Sequence, residues 1–91
     1  MKIVHLEDKH RFLALIEGHE CVLDYRVSSD PKVLEYYHTY VAPELRGRQI
    51  AEKITTVAMD YARANGFKVI PACPYVKRFV EMHPEYADVT E

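Results

Sequence analysis

An α+β fold, built on a mixed and mostly antiparallel sheet, follows from three features of this 91-residue chain. Segments of alternating apolar and polar residues crowd its first half. One long stretch of helical periodicity lies between residues 45 and 65. A short run rich in β-branched residues comes after it, so the last strand must be reached through a helix. The expected order is β-β-β-β-α-β-α, with a single parallel β-α-β crossover.

Residues 2–7 are a weak strand. Residues 11–17 (Arg-Phe-Leu-Ala-Leu-Ile-Glu) read as the second strand, with Gly18-His19 as the hairpin turn. Residues 20–27 follow. Cys21, Leu23, Tyr25 and Val27 fall on one face, and Val22, Asp24 and Arg26 on the other. Ser28-Ser29-Asp30-Pro31-Lys32 is a turn by composition. Residues 33–41 are β-branched and aromatic. Strict alternation there puts Leu34, Tyr36, His38 and Tyr40 on one face and Glu35, Tyr37 and Thr39 on the other.

The long helix is expected over residues 45–65. Ile50, Ile54, Val57, Ala58 and Tyr61 form its apolar stripe, and Asn65-Gly66 its stop. Residues 67–71 form a short strand, parallel to 33–41 because a helix joins the two. Pro74 suits the first turn of a second helix over residues 74–82, with Val76, Phe79 and Val80 inward. His83-Pro84 ends it, and residues 85–91 are a tail.

The length supports one domain, spanning 1–91. A net charge of −2 with scattered basic residues gives no case for nucleic acid. No apolar run approaches the roughly 20 residues that span a bilayer. The N-terminal stretch turns polar too soon for a signal peptide. A cytoplasmic chain is expected, with Cys21 and Cys73 reduced. No CxxC or HxxxH spacing supports a metal site. His5, His10 and His19 lie near turns and are expected at the surface.

Residues 41–51 carry the strongest chemical signal. A strand ends at Val41 and a helix begins within the stretch, with Pro43, Gly47, Arg46 and Arg48 between. A helix start presents unpaired N–H groups and the positive end of the macrodipole. Two arginines add forked cationic donors suited to phosphate. The expected ligand carries a pyrophosphate. Ligands of such sheets sit beyond the carboxyl ends of parallel strands, which here are 33–41 and 67–71.

Cys73 sits at the start of the second helix, where a thiol loses its proton more readily. It reads as a nucleophile, or as a small space-filling thiol. His38 reads as a general base, or as a hydrogen-bonded histidine on a half-buried sheet. Tyr36, Tyr37 and Tyr40 either wall a ligand or pack as an ordinary aromatic strand.

With these elements placed, the chain resembles the GNAT N-acetyltransferase superfamily. That superfamily holds the pyrophosphate of acetyl-CoA in an Arg/Gln-x-x-Gly-x-Gly/Ala turn. The turn here is Arg46-Gly47-Arg48-Gln49-Ile50-Ala51. Arg46 and Ala51 match, and Gln49 stands where the pattern has glycine. A compact GNAT subclass is similar in His38-Thr39-x-Val41, Leu45-Arg46-Gly47, Gly66-x-Lys68-Val69, Pro71-x-Cys73 and His83-Pro84-Glu85-Tyr86.

The resemblance implies a compact GNAT-like fold, acetyl-CoA as cosubstrate and an amine as acceptor. It implies cofactor contacts from Thr39, Tyr40, Val41, Arg46, Gly47, Arg48, Gln49, Ile50, Ala51 and Tyr75. It makes Cys73 and His38 the catalytic candidates. Wider members often carry Asn near Cys73 and a general-acid Tyr two turns later, where this chain has Val80. The alternative is a non-catalytic acyl-CoA-binding or protein-interaction module on a reduced GNAT fold. The acceptor and the oligomeric state stay open.

Overall fold

A computed structural model describes all of residues 1–91. Its strands are β1 (Ile3–Leu6), β2 (Arg11–Ile16), β3 (His19–Val27), β4 (Val33–Tyr40) and β5 (Lys68–Pro71). Its helices are α1 (Ile50–Ala64) and α2 (Pro74–Met82), with short 3-10 turns at Glu7–Lys9, Pro43–Leu45 and Pro84–Tyr86. The strands form one sheet in the order β1-β2-β3-β4-β5. Neighbours are antiparallel up to β4. β4 and β5 are parallel, joined through α1. This is the mixed α+β architecture that the sequence predicts.

The first hairpin turns at Glu17-Gly18, one residue earlier than expected, and Ile16 pairs with His19. Both turn residues have positive φ, 52° and 81°, as a turn matched to right-handed strand twist requires.

β4 departs from simple alternation. Tyr25 pairs with Tyr36, yet the preceding Asp24 pairs with His38. Tyr37 is therefore an extra residue, a bulge, and it reverses the facing of everything after it. Tyr36 is fully buried and its hydroxyl donates to the Ala58 carbonyl of α1 at 2.7 Å. Beyond the bulge Thr39 pairs with the buried Leu23, so Thr39 turns to the core. His38 and Tyr40, opposite Asp24 and Val22, turn to the outer face. The expected grouping of Tyr36, His38 and Tyr40 on one face does not hold.

The long helix begins at Ile50, later than residue 45. Pro43 starts a 3-10 turn, Arg46 is extended, and Gly47 and Gln49 take φ of 87° and 63°. Those conformations cannot continue a right-handed helix. Leu45 is fully buried all the same, which is why it reads as part of the helical stripe. Within α1 the buried side chains include Ile50, Ile54, Ala58, Met59 and Ala62; Val57, expected inward, is exposed.

Both helices contribute to one cluster of 20 buried residues, which joins Ile54 and Met59 of α1, Val76 and Phe79 of α2, and Phe12, Leu23 and Tyr36 of the sheet. On the other phase of the strands Leu15 and Tyr40 stay exposed. His5, expected at the surface, is half-buried: its ring stacks on Phe12 and its Nε2 lies 2.7 Å from the Tyr25 hydroxyl.

The C-terminal residues are more than a tail. The Val69 N–H donates to the Val89 carbonyl, and the Glu91 N–H returns to the Val69 carbonyl, each at 2.8 Å. This short parallel bridge covers the free edge of β5. Tyr86 is buried, and its hydroxyl donates to Asp60 of α1 at 2.7 Å. No helix is long and apolar enough to cross a membrane.

Candidate active site

β4 and β5 pair only as far as Tyr36 and Pro71. The N–H groups of Ala72 and Cys73 both donate to the Tyr36 carbonyl, at 3.1 and 3.0 Å. The chain then leaves into α2 while β4 runs on to Tyr40. The strands therefore part, and the gap opens at their carboxyl ends. Two predicted residues meet in it: the Thr39 hydroxyl lies 3.6 Å from Cys73 Sγ.

Cys73 flanks the start of α2, with an extended backbone and Pro74 as the first helical residue. Its side chain is buried. Burial pushes the thiol up, but the N–H groups of Val76, Tyr75 and Thr39 and the Thr39 hydroxyl more than offset it. The net direction is downward, toward thiolate. Cys21, the other cysteine, is also free and lies in the core.

Beside the gap is a cleft of about 200 Å³. Val41, Leu45, Ile50 and Tyr75 give it apolar walls; Arg46, Gly47, Gln49, Ala51 and Glu52 complete it. From Gly47 through Glu52 no backbone N–H finds an acceptor within the protein, and no side chain caps α1. Arg46 donates through Nε to the Val41 carbonyl at 3.1 Å, which ties its guanidinium to the end of β4. Its other donors have no protein partner, so the charge stands beside the row of open amides. Burial, with the Glu52 carboxylate adding to it, pushes the Tyr75 phenol up.

Other predicted residues lie elsewhere. Arg48 turns away from this cleft and binds Glu17 of the first hairpin, Nη1 to Oε2 at 2.7 Å. His38 is exposed on the outer face and is not brought to Cys73. Opposite it, Asp24 is held by Arg11 in a two-pronged contact of 2.6 and 3.0 Å. The Tyr40 side chain is also on the outer face, while Val41 lines the cleft. No cluster of three or more His, Cys, Asp or Glu is arranged to hold a metal ion.

A family model described as GCN5-related N-acetyl-transferase matches residues 11–89. The chain belongs to that family. Protein NATD1 of Danio rerio is 28% identical over 92 residues, spanning 97% of this chain and 83% of that protein. A GCN5-like protein of Staphylococcus aureus, solved in solution by NMR, is similar in fold with a TM-score of 0.78 at 26% identity. The match covers 99% of this chain and 87% of that one.

Gln49 adopts φ 63°, a left-handed conformation that glycine enters without steric cost. Two residues near this cleft are not singled out by the sequence. Glu52 lines it, and His83 at the end of α2 reaches Glu52. Glu52 falls three residues past Gln49, the place of a capping glutamate, and that spacing was the available signal.

Proposed function

We propose that this GCN5-related chain binds acetyl-CoA and transfers its acetyl group to an amine. The carrying observation is the run of open amides from Gly47 through Glu52 with the Arg46 guanidinium beside it. Such a concave set of N–H dipoles at a helix start suits a diphosphate. In this reading the amides of Gly47, Arg48, Gln49, Ile50 and Ala51 hold the pyrophosphate. Arg46 neutralises it, and Arg48 adds longer-range charge. The acyl arm then passes Val41 and Tyr75 into the gap between β4 and β5, and the backbone of Thr39, Tyr40 and Val41 lies along it.

There the thioester carbonyl would meet Cys73. In the two-step form the Cys73 thiolate attacks that carbonyl, an S-acetyl bond forms, and coenzyme A leaves as its thiolate. The amine then attacks the S-acetyl carbonyl, the Cys73 thiolate is released, and the surplus amine proton passes to a base. In the direct form the amine attacks the thioester itself. Backbone N–H groups near Thr39–Val41 are the proposed oxyanion donors. His38 stands on the outer face, apart from Cys73, out of reach of an amine there, and is not assigned that proton. A cytoplasmic location accords with two free cysteines.

A second reading, acyl-CoA binding without turnover, is favoured by one feature: Val80 stands where wider relatives place a general-acid tyrosine. Isothermal titration with acetyl-CoA, followed by mass spectrometry of the protein, tests both. Saturable binding with an acetyl adduct on Cys73, and coenzyme A release with an amine panel, supports transfer. Binding with neither adduct nor release supports the second reading, and absence of binding at high micromolar ligand rejects both.

A further inference from the structure

Glu52 lines the cleft where an anion is to bind. Glu52 is the third residue of α1, and Gln49 flanks the helix start. In a capping box a glutamate at that spacing folds back and accepts the N–H of the flanking residue. Here the N–H of Gln49 has no acceptor, and no side chain caps the helix. Glu52 faces across to α2 instead, with Oε2 3.7 Å from His83 Nε2.

His83 is built to stay in place. Its ring stacks on Phe79 with 4.1 Å between centroids and 26° between planes. Its backbone N–H donates to the Val80 carbonyl at 3.4 Å. Its Nδ1 lies 3.4 Å from Glu85 Oε2. The imidazole therefore sits between a carboxylate of α1 and one from the turn after α2. The second contact leaves Nε2 directed at Glu52.

We propose that His83 is a positioning residue that draws Glu52 off the start of α1 and so keeps the amides of residues 47–52 free for a diphosphate. Without His83, Glu52 returns to the Gln49 N–H. It then occupies a donor and sets a like charge against the ligand. The inference rests on the proposal that the diphosphate binds at this turn. It adds that the C-terminal end of α2, remote in sequence, controls affinity there.

A mutant cycle tests this. Coenzyme A is titrated into the wild type, His83→Phe, Glu52→Ala and the double variant, with backbone amides followed by NMR. Phenylalanine keeps a ring on Phe79 and removes both nitrogens, and alanine removes any side chain able to cap. His83→Phe is expected to weaken binding about two- to tenfold, the range for a charge at a helix start. Glu52→Ala is expected to bind at least as tightly as wild type, and the double variant to match Glu52→Ala. Before ligand is added, the Gln49 amide resonance should move in His83→Phe and stay in the double variant. Should His83→Phe fail to fold, His83→Ala takes its place.

An equal loss from His83→Phe with or without Glu52 would make His83 merely structural and overturn the inference, as would no loss at all. Wild-type binding without this interplay sinks the inference alone. No binding in any variant, with coenzyme A at high micromolar concentration, sinks the diphosphate site and the inference together.

Discussion

The Thr39 hydroxyl and the Cys73 thiol lie 3.6 Å apart across the point where β4 and β5 separate. Hydrogen bonds from Thr39 and from the first amides of α2 hold the thiol below its ordinary range, against the upward pull of burial. The alkylation rate of Cys73, followed against pH, should have a midpoint below that of the same thiol in unfolded protein. Thr39→Val should raise that midpoint, since it removes one stabiliser of the thiolate. The linked stability has a fixed sign. A folded thiol with a lowered pKa contributes fully above the unfolded value of about 8.5 and loses the contribution as pH falls through the folded value. Cys73→Ala should therefore flatten the rise of stability with pH on the alkaline side. A Cys73→Ala stability curve as steep as wild type would contradict this.

The two arginines of the turn should separate in experiment. Arg46 stands at the cleft and Arg48 is bound to Glu17. A charge-assisted contact to phosphate is worth roughly 1.5–3 kcal/mol. Arg46→Ala should then weaken coenzyme A binding about ten- to hundredfold. Arg48→Ala should weaken it less and more evenly lose its effect in high salt, as expected of a distant exposed charge. Titration at low and high ionic strength measures both.

Gln49 occupies a left-handed conformation at φ 63°. Non-glycine residues bear roughly 1–2 kcal/mol there, partly offset by the greater unfolded-state freedom that glycine brings. Gln49→Gly should stabilise the fold by about 0.5–1 kcal/mol, or a few degrees in Tm. Coenzyme A binding should persist, because the N–H is retained. A drop in Tm would show that the Gln49 side chain makes a contribution the backbone geometry hides.

The C-terminal segment closes the β5 edge. Truncation after Pro84 removes the buried Tyr86 and Val89 and the acceptor of the Val69 N–H. Loss of a large buried side chain alone costs about 3–5 kcal/mol. The truncated chain should be largely unfolded at 37 °C by circular dichroism. Tyr86→Phe is milder: it forfeits the bond to Asp60, worth about 1 kcal/mol.

How much of this was legible depended on whether the signal was local. Both ends of α2 are legible to the residue, because Pro74 opens it and His83-Pro84 stops it. The parallel pairing of β4 with β5 followed from the intervening helix alone. The sequence places the start of α1 too early because Leu45 is apolar and buried, and burial from a 3-10 turn mimics a helical stripe. The facing of His38 is not legible in the sequence, because a bulge is a property of two strands together and nothing in residues 33–41 marks Tyr37 as supernumerary. The contact of Glu52 with His83 joins separate helices, and only the fold brings them together. Val89 and Thr90 offered too short a pattern to signal a bridge to β5.

That supernumerary tyrosine makes the strand a phase-sensitive part. His38 and Thr39 are consecutive, and the bulge at Tyr37 decides which of them meets the thiol. Pairing Asp24 with Tyr37 instead, with no residue lost, would invert the choice, presenting an imidazole to Cys73 and a hydroxyl to solvent.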